Sequence, residues 1–220
     1  MKNTYLLFIV FAILISPKLS TAQDFEGELG VGYNINSIPT SDHVNGGRGG
    51  FTGTAVVGYF IGELVSLGAM YEANKWGYST TSGNIDLAAP ASSFNVYLCK
   101  HYPLPNLYNR PRYSEFCLRP YAGYTTITKG SPYVQQPAVS HDQSNNYKGG
   151  GFSFGLQVEF LHPISKYVSW FANVGGGMAF ISGENTRKFT NYPDATLVEK
   201  IPYNLNYFTL TIGGVYRMWD

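Results

Sequence analysis

The chain has 220 residues, with 15 Lys and Arg against 14 Asp and Glu, 16% aromatic residues and 13% charged ones. Such a charged fraction, about half the usual quarter, beside 25 Gly and 18 Tyr, is odd for a soluble domain and suits a sheet whose apolar face is one residue deep. Near-neutrality argues against nucleic acid as a partner, which would need a basic face.

The first element is a removable address. Lys2 precedes an apolar run from Tyr5 to Ile15, followed by Ser20-Thr21-Ala22, a small-x-small cleavage pattern. This predicts a secretory signal over 1–22, too short for a membrane helix. No Cys stands near the cleavage point, so a lipid anchor is not indicated. Residues 23–220 then form one domain carrying 13 basic and 14 acidic side chains, a net −1.

Alternation of apolar and polar residues marks the strands, because side chains at i and i+2 of a strand share a face. In 24–36, Phe25, Leu29, Val31, Tyr33 and Ile35 lie on one face and Glu26, Glu28, Asn34 and Asn36 on the other. The same pattern predicts strands over 51–61, 65–75, 92–102, 115–128, 151–161, 166–181 and 205–219. Eight strands of this length exceed the ~5–6 residues usual in soluble sheets. The connections between them alternate. Long ones are expected at 37–50, 76–91, 129–150 and 182–204, with tight ones at 62–64 and 162–165 and a middling one at 103–114.

Aromatics recur on the apolar face of each strand in pairs: Phe25/Tyr33, Phe51/Tyr59, Phe94/Tyr102, Phe116/Tyr124, Phe152/Phe160, Trp170/Phe180 and Phe208/Tyr216. The strand at 65–75 lacks a clear pair. At ~3.3 Å per residue and a tilt of ~40°, eight residues span roughly 20 Å of membrane normal. That is close to the ~25 Å apolar band between two aromatic girdles in a transmembrane barrel. Between the girdles the reading places Leu, Val, Ile, Ala, Gly and Pro120, and no charge. The expected fold is all-β: an eight-stranded antiparallel up-and-down transmembrane β-barrel, closed so that no strand edge is left unpaired.

With its signal segment, its LRPYAGYTT stretch at 118–126 and its ending TLTIGGVYRMWD, the chain resembles the eight-stranded outer-membrane barrels of the OmpA/OmpX/OmpW type. The last strand is also similar to the signal read by the barrel-insertion machinery, although Trp219 is penultimate and Asp220 follows it. The resemblance implies a Gram-negative outer membrane, with its lipid and lipopolysaccharide as surroundings and the insertion machinery as an assembly partner. It does not transfer an activity, because this fold hosts structural proteins, adhesins, conduits and lipid-modifying enzymes.

No catalytic constellation stands out. His162-Pro163-Ile164-Ser165 lacks the Asn of a lipid A deacylase motif, and the contiguous Ser140-His141-Asp142 cannot form a relay, which needs side chains converging from separate positions. His43 and Asp86 share a predicted side of the barrel and nothing more. Metal ligands and cofactors are not expected either: the four His (43, 101, 141, 162) are far apart in sequence, and no CxxC or CxxH occurs. The glycine clusters at 45–50 and 147–151 do not match the GxxxxGK[ST] pattern of a phosphate loop, so loop flexibility is the better account.

Cys99 and Cys117 fall on the inward phase of neighbouring strands, either as a cross-strand disulfide or as two unpaired lumen thiols. Glu26, Glu28, Glu72, Glu159, Arg119 and Arg217 share that phase. Buried charges are expected in pairs, so an internal plug is preferred to an ion path, with Arg217 on Glu26/Glu28 and Arg119 on Glu159. Tyr133, Tyr147, Tyr192 and Tyr203 in the long connections are either contact or packing residues. The functional expectation is a non-enzymatic barrel with a structural or surface-contact role, its loops meeting an extracellular or envelope protein. A lipid A-modifying acyl hydrolase or transferase, and a subunit of an envelope secretion complex, are the alternatives.

Overall fold

The computed structural model describes residues 25–37, 44–62, 64–80, 85–105, 114–127, 131–134, 143–189 and 192–218. The segment expected to be a signal lies outside them. The described strands are β1 (Phe25–Ser37), β2 (Val44–Gly62), β3 (Val65–Thr80), β4 (Ile85–Pro103), β5 (Glu115–Ile127), β6 (Ser131–Val134), β7 (Gln143–Pro163), β8 (Val168–Phe189) and β9 (Tyr192–Met218). Every pairing is antiparallel, running β3-β2-β1-β9-β8-β7-β5-β4, and β3 also pairs with β4. Eight strands therefore close on themselves. The short β6 adds to the projecting end of β4, pairing Asp86 with Tyr133.

Closure follows from the alternation. On β5 the odd positions Cys117, Arg119 and Tyr121 are buried, while Phe116, Leu118 and Pro120 are exposed. On β7, Phe152, Phe154, Leu156 and Val158 face out, and Ser153, Gln157 and Glu159 face in. Slipping any strand by one residue would reverse every side chain, so the two chemically opposite faces fix the register. Of the fourteen expected girdle aromatics, twelve are exposed and Phe25 and Phe160 are half-buried.

Most of the girdle is built by direct cross-strand partners. Toward the tight turns these are Phe25 with Tyr59, Tyr102 with Phe116, and Phe116 with Phe160; toward the other end, Tyr33 with Phe51, Phe94 with Tyr124, and Phe152 with Phe180. Ring centroids of Phe116 and Phe160 are 5.3 Å apart, and those of Phe160 and Trp170 5.6 Å. β3 also contributes an aromatic: Tyr71 is exposed opposite Phe94, with its hydroxyl 3.1 Å from Ser92 Oγ.

Two expectations need correction, and one girdle pair stands apart. The β9 pair, Phe208 and Tyr216, is exposed as expected and has no other expected girdle aromatic directly opposite. Phe208 faces Ile35 and Gly176, and Tyr216 faces Gly27 and Val168. The Tyr216 ring instead meets Tyr167, a turn residue missing from the expected set, with centroids 6.1 Å apart. Tilted strands are staggered, so residues at one depth in the membrane need not be ladder partners.

Lys100 is the first correction. It stands on the outward phase between Phe94 and Tyr102, so the apolar band does contain a charge. It is half-buried beside the girdle at the turn end, where a lysine stem lies along apolar surface and its head reaches the interface.

The second correction concerns the long connections. β2, β3, β4, β7, β8 and β9 all continue past the outer girdle. Asn185 pairs with Glu199 and Lys188 with Thr196 in the β8–β9 hairpin, whose strand β8 runs ~30 Å beyond Phe180 at ~3.3 Å per residue. Hence Tyr133, Tyr147, Tyr192 and Tyr203 sit on strands β6, β7 and β9, not in loops. Beyond the membrane a hairpin has no lipid on one face and core on the other. Its backbone ladder persists while the period-two signal is lost.

At the opposite end the connections are short. Gly62 pairs with Val65, and in the 164–167 turn the Ile164 and Ser165 amides donate to Val168 O at 2.9 and 3.0 Å. Val168 N in turn donates to Ser165 Oγ at 3.2 Å.

Candidate functional site: the lumen

The interior holds most of the polar chemistry, since buried residues include Glu26, Glu28, Glu72, His101, Arg119, Gln157, Glu159, Asn173 and Arg217. Their positions form levels along the barrel axis. Nearest the tight turns, Arg217 on β9 is the direct partner of Glu26 on β1 and donates from Nε to Glu26 Oε2 at 3.1 Å. Its Nη1 donates to Glu115 Oε1 at 2.8 Å, and its guanidinium lies 5.3 Å over the Phe60 ring. Glu26 Oε1 also accepts from Ser66 Oγ at 3.1 Å and from the Tyr97 hydroxyl at 3.4 Å.

One level deeper, Arg119 crosses the lumen. Both its terminal nitrogens bond Glu28 on the far wall, Nη1 to Oε2 at 2.9 Å and Nη2 to Oε1. On its own side Nη2 reaches Glu159 Oε1 at 3.3 Å, and Nη1 reaches Gln157 Oε1 at 3.5 Å. The guanidinium stacks 4.8 Å from the Tyr97 ring centroid. Gln157 passes the network on, donating from Nε2 to Glu72 Oε1 at 3.3 Å, while Asn173 Nδ2 donates to Gln157 Oε1 at 3.2 Å. Glu72 Oε2 and Arg119 Nε have no protein partner. Farther from the turns, Tyr121 donates to Tyr207 at 2.9 Å, and Asn34 Nδ2 donates to Asn74 Oδ1 at 3.0 Å.

Glycine makes this filling sterically feasible. A Cβ at Gly58 or Gly68 would run into the hydroxyl of Tyr97, so those two wall positions are bare where the tyrosine spans the interior. A bidentate arginine clasp, a tyrosine lying on glycine and a ring of amides leave side chains where a channel would need water. Arginine's planar fork suits this two-carboxylate clasp better than a lysine would.

The pairing differs from the sequence expectation in one respect. Glu28 belongs to Arg119, not to Arg217, because it lies two residues deeper than Glu26 and meets the opposite wall at Arg119's level. Arg217 takes Glu115 as its second acid instead. Glu115 begins β5 on the inward phase and was legible as a candidate from that alone.

The cysteines are unbridged and have a third neighbour that sequence reading passed over. His101 is the direct cross-strand partner of Cys117, and continuation of the same register sets Cys99 opposite Arg119. The thiols are therefore diagonal neighbours, whose Cα atoms are typically ~7–8 Å apart, beyond the usual disulfide range. His101 Nδ1 lies 3.1 Å from Cys117 Sγ and 3.2 Å from Glu115 Oε2. Cys99-x-His101 on one strand face was the available signal: a period of two puts both on the same side, as CxxC spacing does in a tight loop.

No known family model matches the sequence, and no curated protein matches it. Solved structures do match across almost the whole chain. Neisserial surface protein A superposes with a TM-score of 0.59 at 12% identity, covering 90% of this chain and 100% of that one. A major outer membrane protein from Thermus thermophilus gives 0.53 at 13% identity, covering 90% and 100%. The outer membrane protein OprG from Pseudomonas aeruginosa gives 0.51 at 11% identity, covering 91% and 98%. The fold is that of the eight-stranded outer-membrane barrels.

Among the described residues of this barrel the catalytic candidates do not assemble. His162 Nδ1 is 2.8 Å from Ser114 Oγ, not from Ser165, and its ring packs against Phe160 and Trp170 at the girdle. Among the described residues no carboxylate bonds its other nitrogen, so the pair lacks the orienting third group of a relay. His43 and the Ser140-His141-Asp142 run lie outside the described residues, and of Asp86 the backbone alone is described.

Proposed function

We propose that this chain is exported by its 1–22 segment and inserted into the outer membrane of a diderm bacterium as a non-enzymatic barrel. Its role is structural or one of surface contact, exercised through the strand hairpins that project beyond the outer girdle. The observation that supports this most is the lumen: Arg119 clasped between Glu28 and Glu159 from opposite walls occupies the space a solute would need. Outer-membrane lipid and lipopolysaccharide surround the barrel, the insertion machinery assembles it, and an envelope or extracellular protein is the partner of the hairpins.

Protease shaving tests location and orientation together. Protease added to intact cells should cut within 128–142 or 187–198 and spare the 62–65 turn, and the protein should fractionate with outer membranes. Exposed tips are the preferred sites of nicking. Recovery as a soluble periplasmic protein, or cleavage at the short turns alone, would overturn the reading.

A further inference from the structure

We infer that the turn end of the lumen is a metal site for a zinc-class divalent cation, held by Cys99, His101 and Cys117 with Glu115 as the fourth ligand. The inference is separate from the proposed surface role and stands or falls by itself. The ligand atoms of the three buried residues lie within 4.8 Å of one another. An ion at ~2.3 Å from sulfur and ~2.0–2.1 Å from nitrogen can reach all three after small side-chain rotations. Glu115 Oε2 lies outside that group of three but 3.2 Å from His101 Nδ1, and would turn in as a fourth donor of a type zinc takes.

The surroundings of the histidine supply an independent argument. Ser66 Oγ donates its single proton to Glu26 Oε1 at 3.1 Å and lies 3.0 Å from His101 Nε2. Ser66 therefore accepts from Nε2–H, so Nδ1, which faces Cys117 and Glu115, is the imidazole nitrogen that would take a metal, releasing any proton it holds. A relay from carboxylate through hydroxyl to the far imidazole nitrogen is the outer support that metal-bound histidines characteristically have. Arg217 Nη2, 3.3 Å from Nδ1, is the group that must give way, and its bonds to Glu26 and Glu115 Oε1 hold it nearby.

Charge does not oppose a cation here. Glu26 and Glu115 already flank the site, paired with the guanidinium of Arg217. Binding releases one proton from each thiol, so both sulfurs become thiolate ligands and the site's net charge does not change. Entry is from the turn end, where the Glu115 side chain keeps 19% of its surface exposed. The diagonal placement of the thiols fits ligation of a shared ion better than a direct bond between them.

The test uses the whole barrel, folded in detergent under reducing conditions, titrated with cobalt(II) and then zinc. One cobalt per chain should bind, giving thiolate-to-metal charge-transfer absorption and the intense visible bands of a four-coordinate site, and zinc should abolish both. Zinc should also slow alkylation of both thiols in the unaltered protein, with chelator restoring it. Cys99→Ser and Cys117→Ser should each weaken binding by at least ~100-fold, beyond the ~10–100-fold of losing an outer partner. Ser66→Ala should fall inside that lower range. Folding of each variant is checked by the mobility shift of unheated barrel on gels. If a variant does not fold, alkylation protection in the unaltered chain decides. Absence of the charge-transfer band in folded protein, alkylation unaffected by zinc, or a quantitative Cys99–Cys117 disulfide in protein isolated from the envelope would overturn the assignment.

Discussion

Replacing Arg119 by methionine is expected to cost the folded barrel about 3–5 kcal/mol, because it strands two buried carboxylates at once. Glu28 loses both of its guanidinium bonds, and Glu159 keeps a single 3.4 Å bond from Asn173. The structure also predicts the order of rescue. Adding Glu159→Leu to Arg119→Met should recover the smaller part of the loss, since the tighter clasp is with Glu28. Adding Glu28→Leu as well should recover most of it, as apolar replacement of a whole buried ionic group is often neutral or stabilising. Urea unfolding in lipid vesicles measures all three. Equal stability of the unaltered and Arg119→Met proteins, or full rescue by Glu159→Leu alone, would mean that the cross-lumen clasp is not what holds the two walls together.

Leu156→Arg is the second large effect. Leu156 is exposed midway between Phe152 and Phe160, opposite Pro120 on β5 and Gly176 on β8. On a face in water this change would fall within about ±0.5 kcal/mol. At the centre of a bilayer it should cost ~2–4 kcal/mol. Ile164→Arg, in the turn beyond the girdle and even more exposed, serves as the control and should be near neutral. Similar, small effects at both positions would show that the apolar belt does not face lipid.

The strands were legible because each has two chemically different sides. Phe152 and Ser153 could not exchange places without putting a hydroxyl in lipid and a phenyl ring among amides, so the alternation had to be written into the sequence. The hairpin extensions were not legible for the complementary reason. Past Phe180 and Phe152 the two faces of a strand meet the same medium, and Asn185 opposite Tyr147 carries no periodic mark. The aromatic spacing along β9 revealed the depth of Phe208 and Tyr216 but not their neighbours, which the stagger between strands decides. Within the lumen, near neighbours could be reached by counting along adjacent strands, as with Arg217 and Glu26. The Arg119–Glu28 clasp joins strands that are not neighbours, and its existence depends on barrel diameter and tilt, which no local pattern encodes. The Cys99, His101 and Cys117 group needed the register of a single hairpin. The 103–114 connection leaves that register free by several residues, so the sequence alone did not bring them together.

Whether the interior is closed is decided most directly by single-barrel electrical recording in planar lipid bilayers. The filled lumen predicts baseline current without steady steps for the unaltered protein. Stable, ohmic conductance steps in the unaltered barrel would contradict the account and make Arg119, Glu28 and Glu159 the lining of a pore.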